Sequence, residues 1–467
     1  MIKFGTGGFR AEIADGFTKE NIQKTAQAVA KLIKAEKSTH PVIVGFDRRF
    51  LSDIAAGWVA EVLAGNNIKV KLFNRPVPTP VVMYGVMADG VDYGITITAS
   101  HNPYNHNGMK ICVKGGADAN VETTNKISKI ANSNVKVKTI SLSTARSKGL
   151  IIDYDNTKEY FKNLQSFASK NLKDNTLRVI FNAMHGACAE YAPYYAKLLK
   201  INKFDMVNDS IDPYFEHQSP APNKESLEDF KKQVIRGRYN VGVAVDADGD
   251  RLGVIDEHGE FYNNNIIMAI CYYYLIKYCD QKGDIVKNCS TSIILDRLAD
   301  TFGYKCHEVP VGFKYTSSKM KETDALLGGE SSGGLTMRGY TPAKDSFFSI
   351  TLLLSAMATM KKSLSQIVKK IKEECGYICT TVDGEIQGTN RKKLTKSLLK
   401  ITPNFSYKPI KTTHEDGTKF WFEGGNWVLI RYSGTENLLR YHMEFSTEIE
   451  CERNQKAILN YINKYGK

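Results

Sequence analysis

A short strand that runs into a polar loop is the feature that most constrains how this chain can fold. Residues 93–97 alternate large side chains with small or polar ones, which predicts a β-strand, and the strand runs into Thr98-Ala-Ser-His-Asn-Pro103. The Asn-Pro pair predicts a turn, so Ser100 and His101 would lie on a rigid loop. Because α/β proteins place reacting groups at strand ends, Ser100 is a candidate reacting hydroxyl. Taken alone, this serine could equally belong to an ordinary polar turn.

A second predicted strand ends in a cluster of carboxylates. The apolar run Val241–Val245 predicts a buried strand, and Asp246, Asp248 and Asp250 take alternate positions in the turn that follows. Three crowded carboxylates repel one another unless a cation compensates them, and a ligand set made only of oxygens suits Mg²⁺. The spacing resembles the start of a calcium-binding EF-hand, but Arg251 stands where that loop needs glycine. We therefore predict a magnesium site in this turn.

A glycine-rich loop follows later in the chain. The segment Leu326–Gly334 places four glycines around Glu330, Ser331 and Ser332. Glycines let a backbone come close to a polyhydroxyl ligand, and the carboxylate and hydroxyls could bind it. A plain Gly/Ser loop is the more common explanation when such a segment stands alone.

Near the C-terminus, a strand runs into a turn flanked by arginines. The strand Trp427–Arg431 leads to Ser433-Gly434-Thr435, and Arg440 follows closely. Backbone amides and hydroxyls can line an anion site, and a guanidinium can bind two phosphate oxygens at once. By itself the segment fits a hairpin turn with surface arginines equally well.

Taken together and in this order, the four segments resemble one family, the α-D-phosphohexomutases, which include phosphoglucomutases and phosphomannomutases. The resemblance runs along nearly the whole chain and includes Phe4–Arg10, Val44–Arg49 and Asn182–Ala187. It implies an α/β fold of four domains around a central cleft, with three similar mixed α/β domains and a smaller C-terminal α+β domain. The expected domains are 1–150 (phosphoserine), 151–256 (metal-binding), 257–372 (sugar-binding) and 373–467 (phosphate-binding).

The resemblance also implies a role for individual residues. Ser100 matches the serine that carries a phosphoryl group, and this phosphate would join Asp246, Asp248 and Asp250 as a ligand of Mg²⁺. The other residues expected near the transferring phosphate are Arg10, His101, Lys110 and Arg251. The residues expected to bind the sugar or its second phosphate are Gly312, Lys314, Glu330, Ser332, Arg431, Ser433, Gly434, Thr435 and Arg440. Hexose 1,6-bisphosphate would be both the intermediate and the activator.

Two segments bear on the choice of sugar. Val311-Gly-Phe-Lys314 resembles the Gly-aromatic-Lys loop of many phosphoglucomutases, whereas bacterial dual-specificity enzymes more often have histidine after the glycine. Thr98 disfavours a phosphoglucosamine mutase, in which serine is common at this position. The expected reaction is therefore the interconversion of glucose 1-phosphate and glucose 6-phosphate. A phosphomannomutase or a dual-specificity mutase is the alternative.

A different class of enzyme would use the same carboxylate turn. In a haloacid-dehalogenase-like phosphatase, Asp246 would be the nucleophile of the Asp-x-Asp-Gly sequence that occurs here. Such an enzyme would form no phosphoserine, and it would leave the Ser100 loop and the Arg431 loop unexplained.

Composition agrees with a cytoplasmic enzyme. The chain has 467 residues, 42% of them hydrophobic, which is enough for several cores. The net charge of +13 is spread along predicted helices, so we expect no nucleic-acid partner. No apolar run is long enough to span a membrane. The nine cysteines lack a CxxC pair, which favours reduced thiols. We expect a monomer or homodimer whose partner is a phosphorylated hexose.

Overall fold

Four β-sheets follow one another along the chain, and each forms the centre of one domain. The computed structural model describes residues 1–5, 8–174, 176–433 and 438–466. The first three sheets mix parallel and antiparallel pairs and are covered by helices, whereas the fourth is antiparallel throughout. The predicted fold class, three mixed α/β domains and a smaller C-terminal α+β domain, is confirmed.

The first domain carries the serine loop at the end of an interior strand of its sheet. Its elements are β1 (Phe9–Glu12), α1 (Lys19–Ala35), β2 (Val42–Phe46), α2 (Ser52–Gly65), β3 (Val70–Phe73), α3 (Thr79–Ala88), β4 (Tyr93–Ile97), β5 (His106–Val113), β6 (Ala117–Asp118), α4 (Val121–Ala131), α5 (Leu142–Ser147) and β7 (Ile151–Tyr154). The strand order is β1-β5-β4-β2-β3-β7, with β6 beside β5. Strands β2 and β4 are parallel neighbours and buried at every residue, as expected for strands covered on both faces. Ser100 therefore emerges from the middle of a rigid sheet.

The second domain carries the carboxylate turn. Its elements are α6 (Thr157–Gln165), β8 (Arg178–Asn182), α7 (Ala192–Leu198), β9 (Lys203–Val207), α8 (Glu228–Arg236), β10 (Val241–Val245), β11 (Leu252–Asp256) and β12 (Phe261–Tyr262). The strand order is β12-β11-β10-β8-β9, in which β9, β8 and β10 are parallel. The carboxylate turn leaves β10 at the carboxyl edge of these strands, where α/β proteins bind ligands.

The third domain provides the glycine-rich loop. Its elements are α9 (Asn264–Tyr278), β13 (Ile285–Asn288), α10 (Ile294–Phe302), β14 (Cys306–Val309), α11 (Phe313–Thr323), β15 (Leu327–Gly329), β16 (Leu335–Met337), α12 (Ser346–Met360) and α13 (Leu364–Glu374). The strand order is β14-β13-β15-β16. Helices α9 and α12 pack against each other in a core to which all four domains contribute, which explains why both are apolar on nearly every face. Across the described ranges, no helix combines the length and the hydropathy that crossing a membrane requires.

The fourth domain is an antiparallel sheet covered by two helices. Its elements are β17 (Thr380–Ile386), α14 (Arg391–Leu398), β18 (Lys411–Thr413), β19 (Thr418–Trp421), β20 (Trp427–Tyr432), β21 (Leu439–Phe445) and α15 (Glu448–Tyr465). The strand order is β17-β21-β20-β19-β18. The predicted strand at 427–431 is therefore the central strand of this sheet.

Sheet and helix residues extend past each of the three predicted domain limits. Strand β7 begins at Ile151 but pairs with β3, so the first sheet continues past Leu150. Strand β12 pairs with β11, so the second sheet continues past Asp256. Helix α13 runs to Glu374, past the third limit. Strands as short as β7 and β12 have little sequence signature, so the sequence alone does not show which sheet they join. The domain limits stay a prediction, and the ends of β7, β12 and α13 favour limits after Tyr154, Tyr262 and Glu374.

Candidate active site

Ser100 lies at the meeting point of the first two domains. Its backbone is in the left-handed region, with φ 54°, which is unfavourable for a residue other than glycine and is typical of functional loops. Its amide donates to Thr98 Oγ1 at 2.8 Å, and its hydroxyl donates to Asp246 Oδ2 at 2.7 Å. The side chain is buried. The structure thus brings the candidate nucleophile onto the carboxylate turn of the second domain.

Arg49 fixes the shape of the serine loop. Its guanidinium is fully buried, lies 3.4 Å from Asp47 Oδ2 and stacks on the Phe215 ring, with 4.9 Å between Cζ and the ring centroid. Its two terminal nitrogens donate to four carbonyl oxygens of the loop, those of Ser100, Asn102, Pro103 and His106. Because one rigid cation holds four carbonyls, the position of the serine backbone is fixed before any ligand arrives.

The three aspartates of the turn after β10 form a compact set of oxygen donors. One carboxylate oxygen from each of Asp246, Asp248 and Asp250 lies within 4.8 Å of the other two, and all three residues are buried. Asp246 Oδ1 accepts the backbone amides of Asp250 and Arg251 at 2.9 Å each, which orients its other oxygen. Gly249 has φ 71°, which favours glycine in this turn.

Lys110 pairs with two of these carboxylates. Its Nζ lies 2.6 Å from both Asp248 Oδ2 and Asp250 Oδ2. Burial works against the ionised forms, but the charge and hydrogen bonds of Lys110, helped by Thr79 at Asp248 and by Lys344 and Arg251 at Asp250, together lower the pKa of both carboxyls. Burial and the charges of Asp248 and Asp250 raise the pKa of Asp246 to about 8. Lys110, Lys344 and Arg251 pair with Asp248 or Asp250, and no cation of the described residues pairs with Asp246, so ionisation of all three carboxyls calls for further positive charge.

The donor set fits a divalent cation. Asp248 Oδ1 is buried, and none of the residues that the structure describes donates a hydrogen bond to it. The neighbouring donors are carboxylates and the Ser100 hydroxyl, which are the oxygen ligands that Mg²⁺ and Mn²⁺ prefer. Asp246, Asp248, Asp250 and Ser100 are therefore the residues that would hold the ion.

Cations and a neutral imidazole surround the serine. Arg10 donates to the side chain of Asn102 at 2.8 Å, and Arg251 Nε lies 3.9 Å from Asp250 Oδ1. His101 Nδ1 lies 3.4 Å from the Ser100 hydroxyl. Burial, together with the charges of Arg251 and Arg10, holds the pKa of His101 well below its ordinary value. The ring is therefore neutral near pH 7, and the arginines supply the positive charge that a phosphoryl group needs.

One cleft contacts all four domains. Its walls include Arg10, His101, Lys110, Asp118, Asp250, Arg251, Val311, Gly312, Phe313, Glu330, Ser332, Lys344, Arg431, Ser433 and Arg440. Ser100 is not among these wall residues, but its neighbour His101 is, and its hydroxyl is hydrogen-bonded to Asp246. Lys314 is not among the wall residues, and its Nζ lies 5.3 Å from the centroid of the Tyr315 ring. Gly434 and Thr435, which we also predicted as phosphate-binding residues, lie outside the described residues.

The glycine-rich loop of the third domain packs directly on the carboxylate turn. A Cβ at Gly333 would lie 2.9 Å from the Arg251 Cβ, and one at Gly334 would lie 2.4 Å from the Asp250 carbonyl oxygen. Only glycine permits this approach. Glu330 is oriented by the backbone amide of Gly312, which donates to its Oε1 at 2.7 Å. The loop therefore presents a fixed carboxylate to the cleft beside the carboxylate turn.

Several residues of this site were not predicted. Lys344 Nζ lies 3.3 Å from Asp250 Oδ1, and Thr79 donates to Asp248 Oδ2 at 2.6 Å. Arg49 belongs to a segment that we had singled out, but nothing in that segment indicates that it binds the serine loop. Asp118 on β6 lines the cleft and has no sequence signal either. These residues come from distant parts of the chain, and only the fold brings them to the site.

Comparison with known proteins identifies relatives along nearly the whole chain. The sequence models for phosphoglucomutase/phosphomannomutase alpha/beta/alpha domains I, II and III match residues 1–138, 158–259 and 263–375. A phosphoglucomutase/phosphomannomutase of Thermococcus kodakarensis is 28% identical over 95% of either chain. A phosphoglucosamine mutase of Campylobacter hominis is 27% identical over 99% of either chain. The structure of a protein provisionally named phosphomannomutase, from Thermus thermophilus, is 25% identical, with a TM-score of 0.86 over 99% of both chains.

Proposed function

The chain belongs to the phosphoglucomutase/phosphomannomutase family of phosphohexomutases, and from this premise we propose that it interconverts glucose 1-phosphate and glucose 6-phosphate through a phosphoserine at Ser100. Members of the family are phosphotransferring isomerases, and the chain is an enzyme of this kind. One observation carries the assignment of the serine. Its hydroxyl donates to Asp246 at 2.7 Å, where the carboxylates and cations of the cleft meet.

In the proposed cycle, the phosphoryl group leaves Ser100 Oγ for a hydroxyl of the sugar. The P–O bond to the serine breaks, the P–O bond to the sugar forms, and the hydroxyl proton ends on the serine oxygen. The bisphosphorylated sugar then turns over in the cleft, and its other phosphoryl group returns to the serine. Phosphoryl transfer depends mainly on alignment and charge stabilisation, which the rigid serine loop and Arg10, Lys110 and Arg251 provide.

A divalent cation held by the three aspartates would neutralise charge on the transferring phosphoryl group. We propose Mg²⁺ as this ion, because its preferred ligands are the oxygen donors of the turn. Hexose 1,6-bisphosphate is the proposed intermediate and activator, since the phosphate on the serine must come from a bisphosphorylated sugar.

The bisphosphorylated sugar must be bound in two opposite orientations, so the residues that contact its hydroxyls must be able to bind it in either one. Glu330 and Ser332 line the cleft where sugar hydroxyls would lie, and Arg431 and Arg440 line it on the side of the fourth domain. The reacting phosphate would bind beside Ser100, and the second phosphate would bind the arginines of the fourth domain in the same cleft. This arrangement fits a hexose with two phosphate positions better than it fits a simple phosphatase.

We expect kcat/KM to be highest for glucose 1-phosphate. The Gly312-Phe-Lys314 sequence favours glucose, and the relatives named phosphoglucosamine mutase make glucosamine 1-phosphate the strongest competitor. Parallel measurements on glucose 1-phosphate, mannose 1-phosphate, glucosamine 1-phosphate and ribose 1-phosphate test the choice. If kcat/KM were higher for another sugar, that sugar would be the substrate instead of glucose. Release of phosphate without isomerisation would contradict the assignment as a mutase.

Replacing Arg431 with alanine is expected to weaken substrate binding more than it slows turnover. Arg431 is buried, lines the cleft and lies on β20, far along the chain from the serine. Loss of one charged hydrogen-bond partner typically costs about 1.5–3 kcal/mol, which is roughly ten- to a hundredfold in kcat/KM. Steady-state kinetics with glucose 1-phosphate measure the effect. Arg453→Ala, which removes an exposed arginine of the same domain, is the control, and unchanged kinetics in Arg431→Ala would refute the phosphate-binding role.

A further inference from the structure

Asp416, in the fourth domain, contacts the third-domain loop that joins β14 to α11 and contains Val311 and Gly312. It lies in the turn between β18 and β19, and its side chain is 22% exposed. Its Oδ2 accepts the backbone amide of Val311 at 2.8 Å, and the next amide along the chain, that of Gly312, donates to Glu330. Asp416 thus holds this loop at Val311, and the next amide of the same loop, that of Gly312, orients Glu330, which is expected to bind the sugar.

The same carboxylate pairs with the arginine expected to bind the second phosphate. Arg431 Nη2 donates to Asp416 Oδ1 at 3.3 Å, and Arg431 Nε lies 3.2 Å from Oδ2. This contact occupies one edge of the guanidinium. Its remaining nitrogen, Nη1, has no acceptor within the described ranges, and the residue lines the cleft. Asp416 therefore fixes one edge of Arg431 and leaves the other available to an anion.

Two neighbouring residues hold the turn in place. Gly417 has φ 88°, and a Cβ there would lie 2.5 Å from the Arg431 Cβ, so glycine is needed for the turn to lie against this arginine. Lys419 on β19 is buried and donates to the Cys289 carbonyl at 2.8 Å and to Glu308 Oε2 at 2.7 Å, both in the third domain. The β18–β19 hairpin therefore contacts the third domain at its turn, through Asp416, and along β19, through Lys419.

We propose that Asp416 is a positioning residue, which holds Arg431 in the orientation that receives the substrate phosphate. Through its contact with Val311, it also links this arginine to the loop between β14 and α11. A free arginine side chain loses rotamer freedom when it binds a phosphate, and a carboxylate that already fixes the guanidinium removes much of that loss. The inference rests on the proposed function, since it presupposes a phosphorylated substrate.

Asp416→Asn tests the proposal, because it keeps an acceptor for the Val311 amide and removes the charge that pairs with Arg431. We expect KM for glucose 1-phosphate to rise about tenfold, with a smaller change in kcat. Glu415→Gln removes an exposed carboxylate from the same turn and should leave both constants unchanged. In the Arg431→Ala background, Asp416→Asn should change KM by less than about twofold, since the two residues act as one unit. An equal tenfold loss in both backgrounds, or no loss in either, would overturn the proposal.

A binding measurement separates this proposal from the proposed function. Glucose 6-phosphate is titrated calorimetrically into the Ser100→Ala protein with Asp416 intact and with Asp416→Asn, after thermal unfolding has shown that each variant is folded. We expect about tenfold weaker binding in the second protein. Asp416→Glu keeps the negative charge and should bind more tightly than Asp416→Asn, and equal weakening by the two changes would contradict the role of charge. A wild-type protein that binds glucose 6-phosphate without isomerising it would refute the mutase assignment but leave this test of Asp416 intact.

Discussion

Replacing Ser100 with alanine is expected to reduce mutase turnover by a factor on the order of 10³ or more, because the covalent step is lost. Ser100 lies on a loop fixed by Arg49, and its hydroxyl lies 2.7 Å from Asp246 Oδ2. Since the loop is held through backbone carbonyls, the alanine variant should keep its fold. A coupled assay of glucose 1-phosphate conversion measures turnover, and thermal unfolding checks the fold.

Peptide mapping identifies the phosphorylated residue directly. After incubation with glucose 1,6-bisphosphate, the wild-type chain should carry one phosphate on the peptide that contains Ser100, and the alanine variant should carry none. Ser143→Ala, which removes an exposed serine of the same domain, should behave as wild type. Near-normal turnover without Ser100 would refute its role. A phosphate found on Asp246 instead would favour the haloacid-dehalogenase-like phosphatase.

The strands that lead to the site could be predicted from sequence because their signals are local. The alternation at 93–97 and the apolar run at 241–245 correspond to β4 and β10, and the strand predicted at 427–431 is β20. Each strand has a continuous buried pattern, so a few neighbouring residues are enough to define it. The left-handed backbone of Ser100 could not be predicted in this way, because it depends on the carbonyl contacts of Arg49.

The domain limits and the supporting residues of the site were harder to predict for a related reason. Strands β7 and β12 contain only four and two residues, and the sheet that each joins depends on which edge is unpaired. Lys344 reaches Asp250 across 94 positions of sequence, and Arg49 reaches Ser100 across 51. No pattern of neighbouring residues indicates a contact between positions so far apart in the sequence. The chemistry of the motifs was visible in the sequence, whereas the groups that orient them become visible only in the fold.

Chelation of divalent cations is expected to abolish mutase activity, and added Mg²⁺ should restore it. Buried Asp246, Asp248 and Asp250 place oxygen atoms within 4.8 Å of one another, and Lys110 contacts only the last two. Among the described residues no cation pairs with Asp246, so a dication would supply the positive charge that this carboxylate lacks. It would be bound by oxygen donors alone, which favours Mg²⁺ or Mn²⁺ over Zn²⁺. Full activity in excess EDTA would refute the requirement for a metal.

Thermal unfolding locates the ion without relying on activity. A ligand that binds only the folded protein stabilises it by about 2.7 kcal/mol when its free concentration is a hundred times Kd. Mg²⁺ should therefore raise the unfolding temperature of the wild-type protein, and Asp248→Asn should reduce this rise because it removes one charged ligand. Asp229→Asn, an exposed carboxylate on α8 of the same domain, is the matched control and should keep the full response. An equal Mg²⁺ response in Asp248→Asn and wild type would place the ion elsewhere, because a site that loses one of three carboxylates cannot keep the same affinity for a dication.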